Sequence, residues 1–315
     1  MMQPMQISSQ AMPDAVRDYP FTVSVVIPAY NEAHGIAGVI ERVRAVLPAA
    51  EIIVVDDCSR DETAAVAQAA GARVIRHPVN RGNGAAVKTG IRRARGEVVL
   101  LMDADGQMDP RYIPDLLGGI ADGYDMVVGA RTRDTQGDSV FRRWGNRALD
   151  ALGSYLVETE VRDLTSGYRA MRRDVIMEFI NLLPNRYSYP TTSTLALLKA
   201  GYHVGYVPVI SQRRQGGQSG QKLLRNGIRF GLIILRIVSL FAPLRVYFPV
   251  AISMQLLALL SFLISFFITD PLRFHIPNSA VGLFVGSIII FMFGLNAEQV
   301  AALRFQRPPR IAEEE

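Results

Sequence analysis

Two uncharged apolar runs near the C-terminus, Val246 to Thr269 and Ile276 to Ala297, restrict this chain more than any other feature of its sequence. Each is long enough to cross a hydrocarbon core of roughly 30 Å as a helix. A buried hairpin of a soluble domain is the alternative, but soluble helices rarely exceed about 20 residues without a polar face. The expectation is a transmembrane hairpin over 246–301, with spans at about 246–269 and 277–299. Lys222, Arg225, Arg229, Arg236 and Arg245 precede the first run and Arg304, Arg307 and Arg310 follow the second, whereas the connecting loop carries only Asp270, Arg273 and His275. That asymmetry places both ends on the cytoplasmic side of a cell membrane, as a multi-pass protein. The polar tail 1–20 has no apolar stretch that could act as a signal peptide, so the domain between the tail and the spans is expected to stay in the cytoplasm with the tail 302–315. Gly282, Gly286, Gly294 and Asn296 suit helix packing, within one protomer or between copies in a homo-oligomer.

With 315 residues there is room for one sizeable cored domain before the hairpin. The formal net charge of +5 owes much to the flanks of the spans. It points to anionic lipid and away from nucleic acid. A lone cysteine, Cys58, excludes an internal disulfide and a cysteine metal cluster. Over 222–245 arginines mix with Leu, Ile and Phe, and Arg225, Arg229 and Arg236 fall within about 40° of one another on a helix. This predicts an amphipathic helix lying in a membrane interface, with an ordinary surface helix as the alternative.

The segment 21–221 reads as an α/β domain with a largely parallel sheet. Short apolar runs (Val23 to Ile27, Ile52 to Val55, Ala72 to Ile75, Val98 to Met102, Met126 to Val128) alternate with stretches of helical period such as Ile36, Val39, Ile40, Val43 and Leu47. Ligands of such sheets collect beyond the carboxyl ends of the strands. The polar clusters of this sequence fall there. Asp103, Asp105 and Gln107 follow the fourth strand directly, two carboxylates and an amide oxygen able to approach a hard divalent cation with a diphosphate completing its shell. A solvated turn is the plain alternative. Asp56, Asp57, Cys58, Ser59 and Asp61 follow the second strand, where a carboxylate can accept from a nucleobase or ribose while Ser59 or Asp61 caps the next helix. Pro28, Ala29, Tyr30, Asn31 and Glu32 end the first strand. The turn Asn80 to Gly84 precedes a helix bearing Lys88, and its glycines allow a close backbone approach. It lacks the Walker spacing and so is not an ATPase loop.

Taken in order, VVIPAYNE, VVDDCSRDET, NRGNGAAVKTG, GEVVLLMDADGQMDP, VVGAR and DLTSGYRAMRR resemble the motifs of family 2 glycosyltransferases, and among them the dolichyl- or polyprenyl-phosphate mannosyl and glucosyl synthases. The resemblance covers roughly Val23 to Arg214. It implies a GT-A Rossmann-like fold, with Pro28, Tyr30, Glu32 and Asp57 around the nucleobase and ribose. It also implies Asp103, Asp105 and Gln107 around Mg²⁺ or Mn²⁺ and the donor diphosphate, with Asp105 in the catalytic set. Arg131 and Arg143 would hold the acceptor phosphate, and Ser166 and Arg169 would lie near the donor sugar and the acceptor entrance. Two departures stand out. Asn83 replaces the lysine of a Gly-Lys-Gly turn, leaving Lys88 or Arg81 as a substitute, and Gly220 replaces the lysine of an Arg-x-x-Gly-x-Ser-Lys pattern that retains Arg213 and Ser219.

The expected reaction is inverting transfer of a sugar from a UDP- or GDP-linked donor to a polyprenyl phosphate. A phosphate monoester with a second pKa of about 6 is already largely dianionic at neutral pH and needs no strong general base. Guanidinium forks suit its oxygens. Two other classes compete. A processive polysaccharide synthase would carry Gln-x-x-Arg-Trp after the domain, but the only tryptophan, Trp144, lies upstream. A non-catalytic nucleotide-sugar-binding membrane scaffold would have no reason to keep Asp103, Asp105 and Gln107.

Overall fold

The computed structural model describes residues 18–132, 140–186, 188–210, 238–269 and 276–305, excluding the side chains of 140–144, 146, 268, 269, 304 and 305. Arg213, Ser219 and the predicted interfacial helix before Val238 lie outside the described residues, as does the side chain of Arg143. The chain divides into two compact units, 1–222 and 223–315.

The first unit alternates strands and helices: β1 (Val23–Ala29), α1 (Ile36–Val46), β2 (Glu51–Asp56), α2 (Thr63–Ala69), β3 (Arg73–Arg76), α3 (Asn83–Arg93) and β4 (Val98–Leu101). A 3₁₀ turn (Pro110–Tyr112), α4 (Ile113–Ala121), β5 (Met126–Arg131), α5 (Val140–Val157), β6 (Arg169–Arg172), α6 (Arg173–Phe179), α7 (Tyr189–Lys199) and β7 (Val204–Val209) follow. The seven strands run in the order β3-β2-β1-β4-β6-β5-β7. All neighbours are parallel except β6, which is antiparallel to both β4 and β5. Helices cover the faces, so central strands are buried on both sides and read as unbroken apolar runs; β4 is entirely buried. This is the GT-A arrangement expected from the sequence.

The reversed strand is what brings the site together. Because β6 runs against its neighbours, its start meets the finish of β4, with Leu101 opposite Arg169. The residues leading into β6 therefore emerge beside those leaving β4. Four residues long and bearing an arginine at each end, β6 gives no apolar run by which sequence could announce it. Pro28 has no amide proton, and it falls beyond the last β1–β4 pair, Val26 with Leu101, while still pairing with Val55 of β2.

In the second unit α8 (Leu244–Ile264) continues through a π turn (Ser265–Thr269), and α9 (Asn278–Phe305) follows. Both helices are long and apolar enough to cross a membrane, and only 11% and 17% of their most apolar windows are buried within the chain. Core helices of a soluble domain would be mostly covered. The pair is joined by small and polar contacts. A side chain at Gly294 would come within 2.7 Å of Tyr247 Cβ and one at Gly286 within 2.9 Å of Met254, whereas Gly282 faces open space. Ser287 donates to Gln255, Ser261 and Ser279 share a 2.8 Å hydrogen bond, and the Leu244 amide donates to Glu298 at 3.1 Å.

Candidate active site

Leaving β4, the chain turns sharply at Gly106, whose φ of 73° is left-handed. Asp105 Oδ1 accepts the Gln107 amide at 3.1 Å and Met108 Sδ lies 3.3 Å from the Asp103 amide. The turn presents Asp103 and Gln107 to a pocket whose other walls include Arg131, Thr165, Gly167 and Ile210. Neither carboxylate oxygen of Asp103 accepts a hydrogen bond from any described residue. Removal from water and then the neighbouring charge of Asp105 push its carboxyl up to about 7; Glu32 acts the same way, opposed by Arg131 and Arg169. The crowding of Asp103 by Asp105 is a repulsion that a divalent cation would relieve. Among the described residues no group of three or more His, Cys, Asp or Glu side chains could form a closed metal cage. Asp103 and Gln107 reach the pocket with oxygens of the hard type that a divalent cation takes, and such an ion would draw its remaining oxygens from a ligand or water.

Arg131, at the end of β5, is fixed by Asp163. Its Nε and Nη2 each reach one carboxylate oxygen at 2.8 Å, its amide reaches Oδ2 at 3.0 Å, and Nη2 also donates to Thr165 Oγ1 at 2.5 Å. Asp163 adopts φ 47°, a conformation that aspartate tolerates better than most residues. The guanidinium holds its carboxyl below the usual range, although burial acts the other way and is the largest single influence. Asp150 of α5 accepts the Leu164 amide at 2.9 Å, and burial pushes its own carboxyl up to about 6. Arg131 thus lines the pocket, with Nε and Nη2 committed to a carboxylate that the motif gave no reason to pair with it.

The nucleotide-side residues are arranged differently from the expectation. Asp57 is 3% exposed, and its oxygens accept the amides of Arg81 at 2.9 Å and Gly82 at 2.7 Å and contact His77 Nδ1 at 2.7 Å. His77 Nε2 in turn meets Thr89 Oγ1 at 2.9 Å. Asp57 therefore anchors the glycine turn in place of offering an open carboxylate. Ser59, Asp61 and Thr63 accept the amides of Asn31, Ala33 and Glu32, clasping the ends of β1 and β2 together. Tyr30 stands 43% exposed above this clasp. Pro28 is buried inside the sheet, so it shapes the edge without lining it.

The turn Asn80 to Gly84 approaches the chain's own backbone. A side chain at Gly82 would come within 2.7 Å of the Asn185 carbonyl, and one at Gly84 within 2.6 Å of the Arg186 carbonyl and closer still to that of Pro184. The amides of Gly84 and Ala85 donate to Arg186 and Asn185 at 3.2 and 2.8 Å. Lys88 donates to the Leu183 carbonyl at 3.1 Å and to Asn185 Oδ1. The ammonium of Lys88, which the sequence offered as a substitute for a phosphate-binding lysine, ties α3 to 183–185.

Ser166 and Arg169 likewise turn inward. Ser166 donates to the Gly129 carbonyl at 2.7 Å while still lining the pocket, and Arg169 is fully buried behind it. Met108, Thr165 and Ile210 join the pocket, and no spacing in the sequence singles them out.

The profile of glycosyl transferase family 2 fits residues 24–180, and that of the GtrB C-terminal hairpin fits 242–303. Undecaprenyl-phosphate 4-deoxy-4-formamido-L-arabinose transferase of Pseudomonas paraeruginosa is 32% identical over 292 residues, covering 88% of this chain and 82% of that protein. Its counterpart in Pseudomonas fluorescens is 32% identical over 300 residues with the same coverage. Among solved structures, glucosyl-3-phosphoglycerate synthase of Mycobacterium tuberculosis, crystallised with Mn²⁺, UDP and phosphoglyceric acid, aligns at TM-score 0.57 and 23% identity over 70% of this chain and 78% of its own. The Mg²⁺ and UDP complex of the same enzyme aligns at 0.57 and 24%, over 70% and 79%. These last likenesses speak for the fold.

Proposed function

Because the chain belongs to glycosyl transferase family 2 and is a glycosyltransferase, we propose that it moves a sugar from a nucleotide-sugar donor onto the phosphate of a membrane-bound polyprenyl phosphate. The observation that carries the reading is the pocket where Asp103 and Gln107 meet Arg131 and Thr165. It joins groups suited to a metal-bound diphosphate with a group suited to a second phosphate. The relatives named for undecaprenyl phosphate support a lipid of that class.

In this reading Asp103, Asp105 and Gln107 would hold Mg²⁺ or Mn²⁺, which supplies Lewis-acid neutralisation of the departing nucleoside diphosphate. Asp163 and Thr165 hold Arg131 in the orientation it presents to the pocket, and Arg131 positions the acceptor phosphate. A phosphate oxygen attacks the anomeric carbon, the bond from that carbon to the diphosphate breaks, and the configuration inverts. No proton need leave the nucleophile, because the phosphate is already ionised. Tyr30 offers an aromatic face to the nucleobase. The two apolar helices keep the enzyme in the membrane that contains its acceptor, with the catalytic domain and both termini on the cytoplasmic side.

The test uses the full chain in detergent with a short polyprenyl phosphate and a panel of radiolabelled UDP- and GDP-sugars. Formation of a lipid-linked sugar with one donor is expected. Donor binding without any lipid product across the panel would favour a binding scaffold. Arg131→Ala is expected to raise the acceptor KM about tenfold or more while leaving donor affinity within about threefold; equal losses would contradict its assignment to the acceptor.

A further inference from the structure

Arg169 is an ion buried among neutral atoms. It is 0% exposed, its Nη1 donates to the Pro190 carbonyl at 2.9 Å, Ser193 Oγ at 2.8 Å and Thr194 Oγ1 at 3.1 Å, and its Nη2 donates to the Ser166 carbonyl. Among the described residues its Nε finds no hydrogen-bond partner. No carboxylate forms an ion pair with it among the described residues. Chains rarely bury a cation this way, because the lost hydration is normally recovered from a bonded counter-ion.

The surroundings are built for that charge. Thr191, Thr192, Ser193 and Thr194 of α7 are all at most 3% exposed, where a helix packed against a sheet would ordinarily place apolar side chains. Ser193 and Thr194 donate their own protons to the Pro190 carbonyl at 3.0 and 3.1 Å, which turns their lone pairs toward the guanidinium. On the sheet, Arg169 sits between the two strands that lead to the pocket, opposite Leu101 of β4 and Val128 of β5. Asp103 lies two residues beyond Leu101 and Arg131 three beyond Val128. The carboxylates whose charge Arg169 feels are Asp163 and Asp103, both across unbonded distances.

We propose that Arg169 is a positioning residue of the acidic site, a fixed cation whose field weakens cation capture by Asp103 and Asp105 and stabilises the negative charge that gathers there as the diphosphate departs. An ion paired directly to a carboxylate would have its field cancelled within a few ångströms; one held by hydroxyls and carbonyls projects it into the site. The inference rests on the metal reading above.

The experiment compares full-length wild type, Arg169→Gln, Arg169→Met and Arg169→Lys by thermal melting, Mn²⁺ binding from the spin-resonance signal of the free ion at pH 8.5, and steady-state kinetics. Both neutral variants are expected to bind Mn²⁺ at least about threefold tighter than wild type, while kcat falls about tenfold or more and the donor KM holds within about threefold. Arg169→Lys, which keeps the charge, is expected to match wild-type Mn²⁺ affinity within about twofold. A merely structural role would move metal affinity and kcat downward together. Unchanged or weaker Mn²⁺ binding by a neutral variant that melts like wild type would overturn the proposal. So would failure of both neutral variants to fold while Arg169→Lys folds, because the charge would then serve stability. Wild type that binds no Mn²⁺ would overturn the metal reading itself and this inference with it, an outcome distinct from a variant that matches wild type.

Discussion

Replacing Gly84 by alanine distinguishes a glycine that admits a ligand from one that admits the chain's own backbone. The added Cβ would lie 2.6 Å from the Arg186 carbonyl oxygen and 3.1 Å from the Asn185 carbonyl carbon. Ordinary contacts of this kind begin near 3.5 Å, and the Pro184 carbonyl would lie closer still, so the segment 184–186 has to retreat by more than about 1 Å. That retreat stretches the Gly84 and Ala85 hydrogen bonds, now 3.2 and 2.8 Å, out of useful range. Two lost bonds at about 1 kcal/mol each, plus about 1–3 kcal/mol of overpacking, are offset by about 1 kcal/mol from alanine's better helix propensity. The net destabilisation is about 2–4 kcal/mol, or about 4–16 °C in the melting temperature of a unit this size. Thermal melting of the full chain in detergent, followed by circular dichroism, reads it directly. Gly84→Ala that melts within about 1 °C of wild type yet loses donor binding would refute the reasoning and return the turn to the ligand.

Gly167→Ala should do the reverse, sparing the fold and impairing the reaction. Its Cβ would meet Tyr189 Oη at 3.0 Å, Asp103 Oδ2 at 3.3 Å and Met108 Cε at 3.4 Å, all side-chain atoms that can give. Turnover is expected to fall about tenfold with little change in melting, and wild-type turnover would show that Asp103 tolerates displacement. Asp105→Ala should abolish transfer and Mn²⁺ binding together, and activity that survives chelation of all divalent ions would remove the metal from the mechanism. Asp150 has a folded-state pKa raised to about 6, so the stability it contributes is full below its unfolded value and is lost as pH rises through about 6. Asp150→Asn keeps an acceptor for the Leu164 amide and should gain about 1–2 kcal/mol on wild type between pH 4 and pH 8; a gap independent of pH would show that the carboxyl titrates normally.

The apolar hairpin, the alternation of strands and helices, and the placing of Asp103, Asp105 and Gln107 after β4 were all legible in the sequence. Each is a local signal: a run without charge, a period, or a polar cluster at the end of an apolar strand. What each polar residue bonds to was not legible, because the partners are distant in the chain. Lys88 meets Asn185 across 97 positions, Asp57 meets Gly82 across 25 and Arg131 meets Asp163 across 32. The last of these depends on β6 running against its neighbours, which four residues with an arginine at each end could not announce. Sequence by itself therefore determined that an acidic cluster sits at the carboxyl edge of this sheet and that two apolar helices follow the domain. Only the tertiary structure decided which charges face the pocket and which are spent inside, since a carboxylate, ammonium or guanidinium reads identically in sequence whether it waits for a ligand or already holds the fold together.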